Sequence, residues 1–415
     1  MELNSSVAMS ISNDTQSHEI LSSNTSNVFC PGLADFSVGY RRVHGYVSLV
    51  VCLFGSVANS LNIAVLTRRE MTSPTNALLT GLAVADLLVM LEYIPFACHM
   101  YMPQSTSRTA TDQYSYAWAV FVLFHSNFAQ VCHTVSIWLT VTLAVWRYIA
   151  VAHPQRNREW CCMKTTIAAI VSAYVVSPLL CIPLFLAFSI HPKTAIVDKY
   201  GQILKKSDNI ELVEGGPRNI TLYIVNMSEL GKANSNLLSH INFWVYSVVI
   251  KLIPCAALTE LSRRLICALL ETKRRRQQLT TPSGPGGKKS TRSSRLLEKE
   301  RQTDRTTRML LAVLLLFLLT EFPQGILGLL SVWFGDNFFK NCYQKLGEVM
   351  DILALINSAI NFILYCAMSR QFRSTFSLLF RPSMLDRWLL VPQHNGNGDN
   401  NGCTTANNMT QVTQV

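Results

Sequence analysis

The sequence predicts an all-α membrane protein: a seven-transmembrane helix bundle closed by a short amphipathic eighth helix. Composition, run length and the sidedness of charge together predict it. Of 415 residues, 49% are hydrophobic and 15% charged, against about 25% charged in an ordinary soluble domain. The mean hydropathy is +0.23. These values exclude a disordered chain and argue against a simple soluble enzyme. The net charge of +11 suits either nucleic acid or a membrane surface. Its concentration in one set of loops selects the membrane and leaves no role for nucleic acid.

Seven apolar stretches reach the roughly 20 residues needed to cross a hydrocarbon core: Val43–Leu66, Asn76–Tyr101, Ala117–Val151, Lys164–Ile190, Ser239–Ala268, Arg308–Phe334 and Tyr343–Met368. Lipid offers an open backbone no partner, so each is read as a helix. Buried helices of a large soluble protein are the alternative, and seven runs of this length argue against it.

Orientation follows from the loops. Arg68 and Arg69, Arg156 and Arg158, the stretch from Lys273 to Arg308, and Arg370, Arg373 and Arg381 fall on one side, with about two thirds of the 36 basic residues. The sequons at Asn4, Asn13, Asn24, Asn219 and Asn226 fall on the other, and glycan acceptors belong outside the cell. The amino terminus is therefore expected outside a plasma membrane and the carboxyl terminus inside. A sixth sequon at Asn408 would be cytoplasmic and unused. Residues 1–28 lack a signal peptide's apolar segment, so the first helix is expected to act as its own anchor. The expected division is a glycosylated tail over 1–41, a bundle over 42–368 with a basic loop at about 269–303, an amphipathic helix over 369–381 and a tail over 382–415.

The segments between the runs carry their own signals. The alternation at Ile220–Val225, after a turn at Gly215–Pro217, predicts a β-hairpin lid between the fourth and fifth helices. The basic loop is broken at Pro282–Gly287. Its Ser283, Ser290, Thr291, Ser293 and Ser294 are either kinase targets or incidental linker residues. Phe372, Phe376, Leu379 and Phe380 lie opposite Arg370 and Arg373 on a helix that would rest on lipid. The terminal Thr413-Gln414-Val415 fits the pattern that PDZ domains capture by strand addition. Most of the 12 cysteines fall inside apolar runs. On the outer side Cys30, just before the first helix, and Cys342, at the start of the seventh, are placed either to bridge or to remain single thiols.

Several motifs occur in order. They are Gly55 with Asn59, Leu82-Ala83-Val84-Ala85-Asp86-Leu87, Trp146-Arg147-Tyr148, Pro254, Phe317 with Pro323, Asn361 with Tyr365, and Phe372. Over about Tyr40–Phe380 they resemble the rhodopsin-like G-protein-coupled receptors. Four segments, 44–52, 140–151, 302–330 and 350–365, are similar to insect-type myosuppressin and FMRFamide-related peptide receptors. The resemblance implies an extracellular amidated peptide of the myosuppressin or FMRFamide/FLRFamide kind as ligand and a heterotrimeric G protein as partner. It also implies an outward swing of helix six on activation, with arrestin and a receptor kinase as further partners. Another neuropeptide, such as a myoinhibitory or sex-peptide-like ligand, is the alternative, and a channel or scaffold a more distant one. The chain departs from the family pattern at four places. Trp146 stands where an acid usually precedes Arg147, Glu321 replaces the helix-six Trp, Phe362 replaces a Pro, and Val122 replaces the Cys of the usual outer disulfide.

An ionisable residue at mid-membrane costs about 2.5–3.5 kcal/mol on insertion scales, so each one needs a partner or a task. Asp86, with Ser136, Asn357, Ser358 and Asn361, resembles the family's allosteric sodium pocket; a polar core without an ion is the alternative. Arg147, with Tyr148 and Tyr365, resembles the G-protein coupling end, and Asp304 is a candidate resting partner for Arg147. Glu348 and Asp351 share a stripe of the seventh helix, with Asp351 about 15 Å outward of Asn361. With Glu92 and Glu321 they offer carboxylates to a peptide Arg, which pairs with them in bidentate geometry. Asp351 or Glu92 is the expected partner, while Glu321, a further candidate for the pocket, is either protonated and hydrogen-bonded there or makes a structural hydrogen bond to a neighbouring helix. Gln130, His133, Phe322, Gln324 and Phe128 are further lining candidates. His125 and His133 are a weak metal pair. Pro323, with Gly325 and Gly328, makes the sixth helix kinkable. The only lysine of the seventh run is Lys345, at its edge, which argues against an opsin, and Ala129 argues against an amine receptor. There are no internal repeats as in transporters, and no phosphate loop, zinc spacing or nucleophile elbow, so no cofactor and no enzyme is expected.

Overall fold

The structure, a computed structural model, describes residues 30–102, 109–204, 218–280 and 291–380. The expectations for Asn4, Asn13, Asn24, Asn408, the Gly215–Pro217 turn, the Pro282–Gly287 break and Thr413–Val415 lie outside the described residues, as does the Asp304 side chain.

Seven helices among the described residues are long and apolar enough to span a membrane. The first three are α1 (Leu33–Leu66), α2 (Pro74–Met100) and α3 (Tyr116–Ala152). α2 and α3 begin at serine caps: Ser73 Oγ accepts from Asn76 N at 3.2 Å and Ser115 Oγ from Trp118 N at 3.3 Å. α4 (Met163–Leu180) stops at Cys181 and is followed by the short helix Ile182–Ala187. The strands β1 (Phe188–Val197) and β2 (Arg218–Met227) then pair antiparallel, with Phe188 opposite Met227 and Val197 opposite Arg218.

α5 has three parts: Glu229–Trp244, a π-helical stretch Val245–Leu252, and Ile253–Thr280. α6 (Thr291–Phe338) contains Pro323 and bends at Gly335, whose φ of 71° breaks the helical path. A turn at Phe339–Leu346 leads into α7, which runs as Gly347–Ala359 and Asn361–Met368 on either side of Ile360. α8 (Arg370–Phe380) buries Phe372 against Tyr365 and Phe362, at ring-centroid distances of 5.8 and 6.0 Å.

Several boundaries differ from the sequence reading. α1 starts ten residues before Val43, because Leu33–Arg42 holds no proline and follows Gly32 in the left-handed region. The fourth span yields to β1 at Phe188, where pairing with β2 overrides the apolar run. α5 starts at Glu229, where Ser228 Oγ accepts from Gly231 N at 2.9 Å. Much of the expected basic loop is helical. Residues 269–280, free of Gly and Pro and rich in Leu, Glu, Lys, Arg and Gln, continue α5.

Close approach fixes the packing. A Cβ at Gly55 would lie 2.9 Å from Met90 Sδ and 3.2 Å from Ala359 Cβ, so α1 meets both α2 and α7 there. Asn59, one turn on, donates to Gly55 O and Ser358 O, both at 3.0 Å. A Cβ at Gly328 would stand 2.2 Å from Ser247 Oγ, which seats α6 on the π-helical stretch of α5. Phe317 fills the space between α3 and α5 with Ile137, Ile250 and Leu258.

The hairpin is held to the bundle without the family's usual disulfide. Tyr223 N donates to Tyr114 O at 2.9 Å and Ala110 N to Gly201 O at 2.8 Å. Leu222, 1% exposed, joins Ala110, Tyr114 and Val197 in one apolar cluster, while Val225 shares another with Val122 and Phe96. A different bridge is present: Cys30 and Cys342 form a disulfide with Cα atoms 5.8 Å apart, tying the start of α1 to the approach to α7. Peptide mapping without reduction will recover the Cys30–Cys342 linkage. Cys30→Ser or Cys342→Ser will cost about 2–4 kcal/mol, read as a lower thermal midpoint in detergent. The double variant will lose no more than either single one.

Candidate functional site

Buried polar groups in this bundle gather at four depths between the hairpin end and the Arg147 end. Each cluster answers the same demand, since an unpaired charge out of water costs far more than a paired one.

Asp86 on α2, 1% exposed, accepts from Ser136 Oγ of α3 at 2.8 Å and from Asn361 Nδ2 of α7 at 3.0 Å. Ser358 also bonds the carboxylate. Three helices thus meet on one carboxylate. Asn357 is no partner of Asp86 in this geometry.

Glu321 on α6 is fully buried. Its Oε2 accepts from the Lys251 ammonium of α5 and lies 3.1 Å from His133 Nε2 of α3. Oε1 has no hydrogen-bond partner among the described residues. Glu321 thus bonds Lys251 and His133 on two neighbouring helices. Lys251, 0% exposed, is the residue that a search for acids in the apolar runs missed. A lysine inside the stretch Val245–Ile253 was the available signal. The π-helical turn places it: one extra residue per turn brings Tyr246, Ser247, Ile250 and Lys251 all to the buried side. Lys251 Nζ also sits 5.5 Å from the Tyr246 ring centroid. Gln130, one turn above His133, donates to Thr134 Oγ1 at 3.3 Å, and Gln324, one turn above Glu321, is buried. A small cavity beside the cluster is lined by Gln130, Cys181, Leu184, Asn242, Tyr246 and Ile250.

Toward the hairpin end, Glu92 of α2 pairs with His125 of α3. Glu92 Oε1 has no hydrogen-bond partner among the described residues, and the His125 ring stacks 4.2 Å from Phe96 in an apolar setting. His44 of α1 lies 3.0 Å from Tyr93 Oη. Glu348 and Asp351 of α7 are buried at the same end. Both act electrostatically on Tyr40; Asp351 also acts on Tyr93, and Glu348 on Lys345. Phe322 is 49% exposed and does not join the buried polar groups, because the turn that buries Glu321 and Gln324 points it elsewhere. Phe128 stacks on Phe124 at 5.1 Å. His125 and His133 each serve a different carboxylate. Among the described residues no group of His, Cys, Asp and Glu is arranged to hold a metal.

At the opposite end, Trp146 Nε1 donates to Thr166 Oγ1 of α4 at 3.0 Å. The residue that replaces the expected acid thus binds α3 to α4. Arg147 Nε is buried with no hydrogen-bond partner among the described residues. Tyr148 meets His153 edge-on at 6.0 Å and hydrogen-bonds Arg264 of α5. Tyr365 is 2% exposed in the cluster with Leu82, Leu143 and Phe372.

Seven spans with polar clusters between the helices define a multi-pass membrane protein. A family model described as serpentine type 7TM GPCR chemoreceptor Srw matches residues 46–382. The chain belongs to this family of G-protein-coupled receptors; it is a multi-pass membrane receptor and not an enzyme. The G-protein coupled receptor dmsr-1 of Caenorhabditis elegans is 31% identical over 366 residues, 83% of this chain and 69% of that protein. The sex peptide receptor of Drosophila melanogaster is 29% identical over 366 residues, 85% and 75% of the two chains. The FMRFamide receptor of the same fly is 24% identical over 346 residues, 83% of this chain and 55% of that one.

His125→Leu will strand the Glu92 carboxylate among aromatic rings and cost about 3–5 kcal/mol of unfolding free energy. Glu92→Gln in the same background will recover most of it. Thermal unfolding of the purified receptor checks both, and an unchanged midpoint in His125→Leu would show that the pair carries nothing.

Proposed function

We propose that this receptor binds an extracellular amidated neuropeptide of the myosuppressin or FMRFamide/FLRFamide kind and activates a heterotrimeric G protein through outward movement of α6. The observation that carries this reading is the pair of buried acids, Glu348 and Asp351, on one stripe of α7 at the hairpin end, in a chain related to an FMRFamide receptor. A peptide Arg matches a carboxylate there in charge and in bidentate geometry. Asp351, on that stripe, is its proposed partner. A second reading, a sex-peptide-like or myoinhibitory ligand, draws support from the 29% identity to the sex peptide receptor.

The hairpin end faces the outside of a plasma membrane. Asn219 and Asn226 on β2 are exposed there and open to glycosylation. The Arg147 end faces the cytoplasm, where Arg147, Tyr148 and Tyr365 meet the G protein, with arrestin, a receptor kinase and a PDZ protein as further partners. Asp86, Ser136 and Ser358 fit an allosteric sodium ion, since a carboxylate with two hydroxyls is a hard cation's donor set. Asn361 holds the carboxylate in place through its amide N–H. A bound ion would supply the charge that offsets Asp86.

Expression in cells with calcium and cyclic-AMP readouts, against amidated peptides ending in Phe-Leu-Arg-Phe, Phe-Met-Arg-Phe and unrelated tails, tests the ligand. A response to the first two that falls at least about tenfold in potency in Asp351→Lys is expected. A receptor answering only unrelated tails, or an unaltered Asp351→Lys, defeats the reading. Arg147→Ala will abolish signalling while leaving peptide binding within about twofold, the split expected where binding and coupling sites are distinct. Agonist affinity will depend on sodium in the native receptor and not in Asp86→Asn; identical behaviour of the two removes the ion.

A further inference from the structure

The cluster of Lys251, Glu321 and His133 holds more hydrogen-bonding capacity than it uses. A carboxylate accepts about four hydrogen bonds and an ammonium donates three. Glu321 spends Oε2 on Lys251 and His133 and leaves Oε1 buried with no partner among the described residues. The only hydrogen bond of Lys251 among the described residues goes to Glu321. The site thus presents one open acceptor and open N–H donors side by side, at the meeting point of α3, α5 and α6. Toward the hairpin end it is continued by polar groups: Gln130 on α3, Gln324 on α6, and Ser247 on α5, whose Oγ is buried and unpartnered. A cavity lined by Gln130 and Tyr246 borders it.

We propose that this cluster reads the carboxy-terminal group of the ligand peptide, accepting a primary carboxamide and refusing a free carboxylate. The assignment rests on the peptide reading above and adds the residues that judge the peptide's end. A carboxamide brings one carbonyl oxygen and an NH2 group. The NH2 donates to Glu321 Oε1 and the carbonyl accepts from Lys251 Nζ, so both open capacities are filled. A carboxylate has acceptors only. It leaves Oε1 unsatisfied and sets a second negative charge against Glu321, while the Lys251–Glu321 pair, with no net charge, offers an anion no compensating attraction.

One synthetic peptide ending in Phe-Leu-Arg-Phe, prepared as its amide and as its free acid, tests this on the full receptor at the cell surface. The native receptor should prefer the amide by about a hundredfold, the scale on which a buried hydrogen-bonding site rejects a mismatched group. Glu321→Gln removes the repelling charge, so the preference falls below about tenfold. Lys251→Gln leaves Glu321 facing the acid alone, so the preference rises. Loss of packing would shift both peptides together and leave the ratio fixed. A ratio that stays fixed in both variants overturns the proposal while the peptide reading stands. A native receptor that answers neither peptide defeats the peptide reading itself. If one variant fails to reach the surface the other decides, and if both fail, a native ratio near one overturns the proposal.

Discussion

A charge that leaves water for the inside of a bilayer must find its counterpart on another helix, and the bundle is organised around that requirement. The Lys251–Glu321 pair shows it most plainly. Neither residue is tolerable alone at 0% exposure, and each lies on a helix whose local geometry departs from the regular form. α5 widens into a π-helical stretch that turns Lys251 inward, and α6 passes through Pro323 just beyond Glu321. Gly325 and Gly328 then belong to packing as much as to flexibility, since they bring α6 within contact of Lys251, Leu252 and Ser247. A helix that pivots there must carry a buried charge with it. The ion pair is therefore a natural element for a ligand to bias.

The hairpin end solves a different problem. Where related receptors anchor the outer loop through a cysteine on the third helix, this chain has Val122. The loop is fastened by main-chain hydrogen bonds from Tyr223 and Ala110 and by the burial of Leu222 and Val225. The hairpin is thus a packed part of that end of the bundle.

Much of this was legible in the sequence, because the strongest signals are the ones lipid imposes. Run length located all seven spans, and the resemblance to the receptor family anticipated one polar cluster, Asp86 with Ser136 and Asn361, that the structure does assemble. Boundaries were harder. The continuation of α5 to Thr280 and of α1 back to Leu33 lies in polar sequence, where hydropathy says nothing and helix propensity alone decides. Pairings were harder still. Periodicity records which face of a helix is apolar but not which neighbour faces it, so Glu92 with His125, and Trp146 with Thr166, emerged only in three dimensions. Lys251 stayed hidden because the search followed acids, although a lysine inside an apolar run is the same kind of signal.

The bridge between Cys30 and Cys342 spans 312 residues of sequence. It closes a covalent ring that holds α1 to α6 and leaves α7 and α8 outside it. The two helices it joins, α1 and α7, also touch at Gly55 and through Asn59, so the ring closes on a seam that is already packed. A single cut in a segment connecting any two of α1 to α6 would only linearise the loop, and the pieces on either side would remain one molecule.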